Sequence, residues 1–167
     1  MKNIFITGGA GYIGSDCAIS LIKNGYNPII LDNLSNSRQS VIKKLKIITK
    51  KKITFYKIDL NNKKKLKSIF NKHQCFAVIH CAGFKAVGES VKNPIAYYNN
   101  NIGSTLSLLD CMQQNNVFKL IFSSSATVYN DMQSLPLKET SEVGNTKNPY
   151  GTTKYIIEKI LEDLVKS

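Results

Sequence analysis

Tyr150 and Lys154 lie four residues apart at the start of a helix-like run, NPYGTTKYIIEKILEDLVKS (148–167). Residues at this spacing share one face of a helix, and a nearby ammonium group favours the phenolate form of a tyrosine. A tyrosine activated in this way can act as a general base. The pair alone is not specific, because the same spacing is common on helix faces that simply contact solvent.

A serine-rich segment, FSSSATVY (122–129), makes a reactive role for that pair more specific. It follows a predicted strand, so its hydroxyl groups should lie at the carboxyl edge of a sheet, where they could meet Tyr150. Ser125 is the candidate hydroxyl that orients the reacting groups. The predicted catalytic residues are therefore Tyr150, Lys154 and Ser125.

The segment TGGAGYIGSD (7–16) has the spacing of a phosphate-binding loop. Gly8, Gly11 and Gly14 recur at intervals of three, and Gly9, Gly11 and Gly14 satisfy the pattern G-x-G-x-x-G. Such glycines allow a tight turn from strand to helix, with no side chain between the backbone and a pyrophosphate. The amide groups at the start of the helix then face the phosphates. A glycine turn can also be purely structural, so the surrounding elements matter.

Asp32 supplies that context, because it ends the second predicted strand about twenty residues after the loop. A carboxylate at this position accepts hydrogen bonds from an adenosine ribose, whereas the structural alternative is a helix cap or turn residue. The combination predicts dinucleotide binding. Asp32 would repel the 2′-phosphate of NADP, and Arg38 is the nearest arginine, so the expected cofactor is NAD.

The elements that must hold these residues alternate between short apolar runs and helix-length segments, which predicts βαβ units and a parallel sheet covered by helices on both faces. The predicted fold is therefore a doubly wound α/β sheet, a Rossmann fold, with strand order 3-2-1-4-5. Helices are predicted between the strands, and one of them covers the whole of residues 93–116. The predicted strands are NIFIT (3–7), PIIL (28–31), ITFYKI (53–58), FAVIHC (76–81) and KLIFSSS (119–125).

Length and composition favour a single domain with a real hydrophobic core. The chain has 167 residues, of which 43% are hydrophobic and 20% charged. Its net charge of +12 comes almost entirely from lysine. Recognition of nucleic acid usually combines arginine with aromatic side chains, and the lysine runs lack that mixture, so solvated helix faces are favoured over a nucleic-acid partner.

The cysteines and the apolar runs bear on the compartment and on metals. Cys17, Cys75, Cys81 and Cys111 show no C-x-x-C spacing, so buried free thiols are expected and a metal site is not. No apolar run approaches the roughly twenty residues of a membrane span, and the first apolar run breaks at glycine too early for a signal peptide. We therefore expect a cytoplasmic protein with no membrane partner.

Several motifs in order resemble the amino-terminal half of the UDP-glucose 4-epimerases, which are extended short-chain dehydrogenases/reductases. The similarity runs from Lys2 to about Leu161. AGFKAVGESV and SSSATVY distinguish this family from related dehydratases. The motifs are TGGAGYIGS, LDNLSNS (31–37), VIHCAGFKAVGESV (78–91), YYNNN (97–101), FSSSATVY and PYGTTK (149–154).

The resemblance implies an isomerase that acts on nucleotide sugars in galactose metabolism. Tyr150, with Ser125, would take the proton of the sugar O4 while C4 gives a hydride to NAD, and Lys154 would hold the nicotinamide ribose. The transient 4-keto sugar would turn over and regain the hydride on its other face. The implied cofactor contacts are Tyr12 and Ile13 at the pyrophosphate; Asp32, Asn33, Asn36 and Ser37 at the adenosine ribose; Asp59 and Leu60 near adenine; and Cys81, Ala82, Gly83 and Lys85 along the cofactor channel, with Asn100 in support.

Members of this family are about twice as long as this chain. We therefore expect residues 1–167 to be the NAD-binding Rossmann domain, truncated before the nucleotide-sugar domain and with little activity alone. A full-length form could be a homodimer. Three alternatives stay open: a non-catalytic NAD-binding module, another NAD-dependent nucleotide-sugar epimerase or dehydratase, and a basic nucleic-acid-binding protein on a reused fold.

Overall fold

The structure, a computed structural model, describes residues 1–130 and 135–166. Strands and helices alternate along the described chain, as the apolar runs predict. A π-helical turn and a short 3-10 helix interrupt the pattern. The elements are β1 (Asn3–Thr7), α1 (Tyr12–Lys23), β2 (Asn27–Asp32), α2 (Gln39–Thr49), β3 (Thr54–Lys57), α3 (Lys63–Lys72), β4 (Cys75–His80), α4 (Val87–Lys92), α5 (Pro94–Tyr97), the π-helical turn (Tyr98–Gly103), α6 (Ser104–Gln114), β5 (Leu120–Phe122), the 3-10 helix (Ala126–Val128) and α7 (Pro149–Lys166).

The strands form one parallel sheet in the order β3-β2-β1-β4-β5. This is the doubly wound order, so the predicted α/β fold is confirmed. β1 lies at the centre, with Phe5 opposite Ile29 of β2 and Val78 of β4. The carboxyl ends of β1, β2 and β4 therefore open onto the edge where α/β folds bind ligands.

The central strands are buried on both faces, because successive side chains of a strand point to opposite sides of the sheet. Phe5 packs in one core with Leu66 and Phe70 of α3 and Leu108 of α6. Ile6, the next residue, packs in a second core with side chains of α1 and α2. Burial on two faces explains why these strands read as continuous apolar runs.

Two predicted element boundaries were wrong. The serine-rich segment was predicted to continue β5 to residue 125, but the strand ends at Phe122. Residues 93–116 were predicted as one helix, whereas they divide into α5, the π-helical turn and α6. Pro94 does begin a helix, as predicted. The short helix α4 was not predicted at all.

Contacts divide the chain into two compact units. Unit 1 comprises Met1–Ala82 and Leu106–Ser123, and it contains the whole sheet with both hydrophobic cores. Unit 2 comprises Gly83–Thr105 and the residues from Ser124 onward. Its described elements are α4, α5, the π-helical turn, the 3-10 helix and α7.

The four cysteines are free thiols, as predicted, but only Cys111 is fully buried; Cys17, Cys75 and Cys81 are half-buried. Burial raises the pKa of the Cys75 thiol to about 11, against hydrogen bonds that lower it. The described residues include no cluster of three His, Cys, Asp or Glu side chains that could hold a metal ion. None of the helices in 1–130 and 135–166 is long and apolar enough to cross a bilayer.

Candidate functional site

The glycine loop in unit 1 is shaped by close backbone contacts. Gly8 has a φ of +65°, which glycine adopts without strain, and its amide donates to Leu31 O at 2.8 Å. A Cβ on Gly14 would lie 2.5 Å from Gly8 O and 2.7 Å from Gly9 Cα. Because those atoms are backbone, no side chain can be accommodated by a rotamer change. The loop therefore needs glycine at these positions for its own fold as well as for any ligand.

The loop leads directly into the start of α1. Gly11 is the N-cap residue and has no side chain to bond the first amides, and its own amide donates to Gly8 O at 3.0 Å. Tyr12 and Ile13, in the first turn, are 90% and 55% exposed. This arrangement leaves the positive end of the helix accessible at the edge of the sheet.

Asp32 lies at the end of β2 and is only 8% exposed. Its Oδ2 accepts a hydrogen bond from the Ala10 amide at 3.0 Å, which ties the glycine loop to β2. Its Oδ1 accepts from the Leu34 amide at 2.8 Å and from Ser37 Oγ at 2.9 Å. The structure thus brings together Asp32 and Ser37, both predicted for the ribose side. A carboxylate offers about four acceptor positions, so one remains on Oδ2.

Asn33 and Asp59 form a second predicted pair in unit 1. Asn33 Nδ2 donates to Asp59 Oδ2 at 3.2 Å, and Asp59 Oδ1 also accepts from the Asn61 amide at 2.9 Å. Leu60, predicted near adenine, packs its side chain into the core at 5% exposure. Asn36 lies on the exposed turn after β2.

Two of the predicted channel residues follow β4 and contact the glycine loop. The Cys81 amide donates to Thr7 O at 3.0 Å, and the Ala82 amide donates to Thr7 Oγ1 at 3.3 Å. Thr7 Oγ1 also lies 2.6 Å from His80 Nδ1. A Cβ on Gly8 would be 2.7 Å from Ala82 N. The ends of β1 and β4 are therefore packed backbone to backbone.

Asn101, in unit 2, was missed by the sequence reasoning, which selected its neighbour Asn100. The Asn101 side chain is 2% exposed and lies in the π-helical turn. Its Oδ1 accepts from the Phe84 amide at 2.7 Å and from Asn100 Nδ2 at 3.0 Å. Its Nδ2 donates to Phe84 O at 3.1 Å and to Thr153 Oγ1 at 3.0 Å. One amide therefore joins the segment after Gly83 to the helix that carries Lys154.

The only sequence signal for this residue was the asparagine run NNN (99–101), which does not tell one asparagine from another. π-helical turns are frequent at functional sites, because the extra residue redirects a side chain or carbonyl. Here the Asn101 carbonyl accepts from Thr105 Oγ1 at 2.6 Å.

Tyr97 holds the segment around Lys85 in unit 2. Its hydroxyl accepts from the Ala86 amide at 3.1 Å and lies within donating distance of Ala86 O at 2.9 Å and Glu89 Oε2 at 3.0 Å. Burial, followed by the hydrogen bond to Glu89, raises the pKa of the Tyr97 phenol above its usual value. Lys85 itself is exposed. Tyr97 is thus an anchor for this segment and was not predicted.

Ser125 caps the 3-10 helix that follows the serine-rich segment. Its Oγ accepts from the Thr127 amide at 3.2 Å and from Thr127 Oγ1 at 2.9 Å. The turn packs on α7 at Gly151, where a Cβ would lie 2.7 Å from Thr127 O. Ser125 is therefore held on a turn that contacts the helix one residue beyond Tyr150.

The helix α7 presents the predicted reactive pair. Asn148 closes its first turn by accepting from the Gly151 amide at 2.8 Å. Tyr150 is half-buried and Lys154, one turn later, is 5% exposed. Thr153 Oγ1 donates to Tyr150 O at 2.7 Å while accepting from Asn101. Lys154 is therefore buried one helical turn from a partly accessible tyrosine.

Comparison with known proteins identifies the family. The sequence profile of the NAD dependent epimerase/dehydratase family matches residues 4–167. The chain belongs to this family. It is 53% identical over 164 residues to the UDP-glucose 4-epimerase of Dictyostelium discoideum. The aligned region covers 98% of this chain and 47% of that protein. The resemblance to the amino-terminal half of these enzymes is therefore confirmed.

Solved structures of the family have the same fold. The UDP-glucose 4-epimerase of Bifidobacterium longum in complex with NAD+ and UDP matches with a TM-score of 0.96 and 44% identity, over 98% of this chain and 49% of that one. The enzyme from Stenotrophomonas maltophila, with bound NAD and formylated UDP-arabinopyranose, matches with a TM-score of 0.94 and 39% identity. This match covers 98% of this chain and 48% of that one. The chain spans about half the length of the relatives it matches.

Proposed function

We propose that this chain is the NAD-binding and proton-transfer half of a UDP-glucose 4-epimerase. The observation that carries the proposal is the α7 face, with Tyr150 half-buried, Lys154 buried and the Ser125 turn packed on Gly151. This constellation occurs in a chain 53% identical to an enzyme of that name. Unit 1 would supply the dinucleotide-binding residues and unit 2 the reacting groups, so residues 1–167 would act as one NAD-binding domain.

The residues of unit 1 fit the adenosine and pyrophosphate parts of NAD. Gly8 and Gly14 keep the loop free of side chains, and the first turn of α1 presents unbonded amides to phosphate oxygens. The free acceptor position of Asp32 Oδ2 would take a ribose hydroxyl, with Asn33, Asn36 and Ser37 around it. Asp59, Leu60, Cys81 and Ala82 of this unit would line the rest of the cofactor. Gly83, Lys85 and Asn100, which belong to unit 2, are the other proposed cofactor contacts.

The residues of unit 2 fit proton transfer at the sugar O4. Lys154 would favour the phenolate form of Tyr150 and hold the nicotinamide ribose. Tyr150 would then take the O4 proton and later return it, with Ser125 as the hydroxyl that orients the reacting groups. NAD, when bound, would supply the hydride acceptor for C4 and the hydride donor for the 4-keto sugar. Each group ends a cycle in the state in which it began.

A non-catalytic NAD-binding module is the second candidate for residues 1–167 assayed alone. About half of each relative has no counterpart here. Fixing a substrate in a near-attack geometry contributes up to about 7–11 kcal/mol to catalysis. We therefore expect the isolated chain to bind NAD but to interconvert UDP-glucose and UDP-galactose very slowly.

Calorimetric titration with NAD and NADP tests the cofactor assignment. The parent should bind NAD and bind NADP much more weakly, and Asp32→Ala should narrow that gap because the carboxylate that repels a 2′-phosphate is gone. Asp16→Ala removes an exposed carboxylate of α1 and is the matched control. Equal affinities of the parent for both cofactors would contradict the role of Asp32.

Turnover of UDP-glucose with added NAD tests the mechanism. The parent and Tyr150→Phe should both be nearly inactive when the chain is alone. Robust turnover by the parent that disappears in Tyr150→Phe would support the mechanism and exclude the non-catalytic module. Turnover that survives in Tyr150→Phe would overturn the assignment of the base.

A further inference from the structure

Ser124 and Glu158 form a contact that the mechanism above does not use. Ser124 Oγ donates a short hydrogen bond to Glu158 Oε1 across 34 positions of the sequence. Both residues belong to unit 2 and both are half-buried. Hydrogen bonds in which the acceptor is an ionised carboxylate are about twice as strong as neutral ones, so this contact is a strong local constraint.

Glu158 continues the reactive face of α7. Tyr150, Lys154 and Glu158 follow one another at intervals of four, and residues at that spacing lie one above the other on a helix. The carboxylate therefore lies one turn beyond Lys154 and two turns beyond Tyr150. It also holds the residue immediately before Ser125.

The Ser125 turn thus contacts α7 at two positions along the helix. Near the start of α7, Gly151 packs against Thr127 O, and two turns later Glu158 accepts from Ser124. Ser125 lies between these contacts along the chain. The Val128 carbonyl also accepts from the Gly144 amide at 2.8 Å, so the two contacts with α7 add to that anchor and constrain the position of the turn along the helix axis.

The direction of the Ser125 proton follows from its partners. A serine hydroxyl has one donor and two acceptor positions. Both acceptor positions are taken by Thr127, through its amide and its hydroxyl. The proton of Ser125 is left to donate to an oxygen outside its own turn, and a phenolate at Tyr150 is such an acceptor.

We propose that Glu158 is a positioning residue, which holds Ser124 so that the Ser125 hydroxyl is presented to the reacting oxygen of Tyr150. The inference rests on the proposed roles of Tyr150 and Ser125. Glu158 does not touch substrate or cofactor in this proposal. It acts through Ser124, and its effect on chemistry is the quality of the hydrogen bond that Ser125 can make.

The proposal predicts an upward shift of the pH at which Tyr150 ionises, and the loss of a negative charge alone cannot produce a shift in that direction. If Glu158 acts through position, losing the contact weakens the hydrogen bond to the Tyr150 phenolate and raises the pH at which that phenol ionises. If Glu158 acts only through its negative charge, removing it lowers that pH. Lys154 lies one turn from Tyr150 on α7, and Tyr97 interacts electrostatically with Tyr150; both are unchanged in every variant.

The experiment follows the ionisation of Tyr150 by NMR in the full chain labelled with ¹³C at the tyrosine ζ carbon. The signal is assigned by its disappearance in Tyr150→Phe, and no cofactor is added. Ser124→Ala removes the contact and keeps the charge, Glu158→Gln removes the charge and keeps an acceptor, and Glu158→Ala removes both. Glu162→Gln is the matched control, because Glu162 is exposed on α7 and pairs with Lys159.

Ser124→Ala and Glu158→Ala should each raise the ionisation midpoint by about half a pH unit or more, roughly a threefold change in the phenolate equilibrium. Ser124→Ala combined with Glu158→Ala should differ from Ser124→Ala alone only by the loss of the Glu158 charge, because both substitutions remove the same hydrogen bond. The midpoint of Glu158→Gln should lie nearer to that of the parent than the midpoint of Glu158→Ala does. The midpoint of Glu162→Gln should equal that of the parent. Thermal unfolding is recorded for each, and Ser124→Cys replaces Ser124→Ala if that variant does not unfold cooperatively.

An unchanged midpoint in Ser124→Ala would overturn the proposal, even if its stability falls, since that result describes a purely structural contact. A lowered midpoint in both Glu158 variants would assign the effect to charge. Because these titrations contain no cofactor, they are independent of whether the chain binds NAD, so failure of the proposed function is detected separately by calorimetry.

Discussion

Replacing Asn101 by alanine should destabilise unit 2 far more than the same change at its neighbour Asn100. Asn101 is buried and its amide bonds both polar groups of the Phe84 backbone and the hydroxyl of Thr153. Asn100 is half-buried and donates one hydrogen bond, to Asn101 Oδ1. The two residues are chemically identical and adjacent, so the comparison isolates the effect of position.

The expected cost can be estimated from the groups left unpaired. Asn101→Ala leaves the Phe84 N–H, the Phe84 carbonyl and one acceptor position of Thr153 without their partner. At about 1–1.5 kcal/mol for each lost bond, the total is about 3–5 kcal/mol. Asn100→Ala loses one bond whose acceptor keeps another donor, and it should cost about 0.5–1.5 kcal/mol.

Urea unfolding followed by far-ultraviolet circular dichroism measures both costs, since the chain contains no tryptophan for a fluorescence signal. Amide hydrogen exchange at Phe84 gives a local readout, because that amide donates to Asn101 at 2.7 Å. Its protection should fall in Asn101→Ala and persist in Asn100→Ala.

Equal costs for the two alanine variants, with the Phe84 amide still protected in both, would refute this reasoning. That outcome would mean that the segment after Gly83 is held by other contacts, such as the Tyr97 hydroxyl with Ala86. A large cost without loss of protection at Phe84 would place the damage in α7 instead.

Gly14→Ala should destabilise the chain by about 1–3 kcal/mol and abolish detectable NAD binding, because its Cβ would lie 2.5 Å from Gly8 O. Gly88→Ala, in α4 with no atom within 4 Å of the added carbon, is the control for both measurements, and equal effects would contradict the steric argument. His73 should make stability depend on pH, because burial and then a neighbouring lysine charge hold its pKa below 6.5, and the neutral ring bonds the Tyr56 hydroxyl at 2.7 Å. The unfolded state takes up the proton first, so this contribution is complete above pH 6.5 and is lost as the pH falls through and below that value. Urea unfolding at pH 7 and pH 5 should show a smaller pH dependence in His73→Asn than in the parent, and equal dependences would contradict the assignment.

The sequence was sufficient for the sheet and for the kind of chemistry. Buried strands read as short apolar runs because both of their faces are covered, and this signal lies within each strand. Gly8 and Gly14 are separated by one tight turn, so their contact is also local. Asp32 was recognisable because it ends a strand at a known distance from that turn. Tyr150 and Lys154 share a face through helix periodicity alone.

The tertiary structure decided which of several adjacent, identical residues makes the long-range hydrogen bonds. Three identical asparagines occur at 99–101, and only packing directs Asn101 inward to bond groups 17 and 52 positions away. The π-helical turn that makes this direction possible has no local sequence signature comparable to a cap or a strand.

Ser124 and Glu158 also show that packing, and not the local sequence, selects the residue that makes a contact. Three serines follow β5, and the sequence analysis chose Ser125 as the one that meets Tyr150 and gave no role to Ser124. The contact between Ser124 and Glu158 joins residues 34 positions apart, and it forms because the segment at Ser124 and the third turn of α7 pack together in unit 2. Periodicity and turn sterics act over a few residues and can be read from the sequence. A hydrogen bond between distant segments depends on their distance and angle, which are determined only when the backbones have packed.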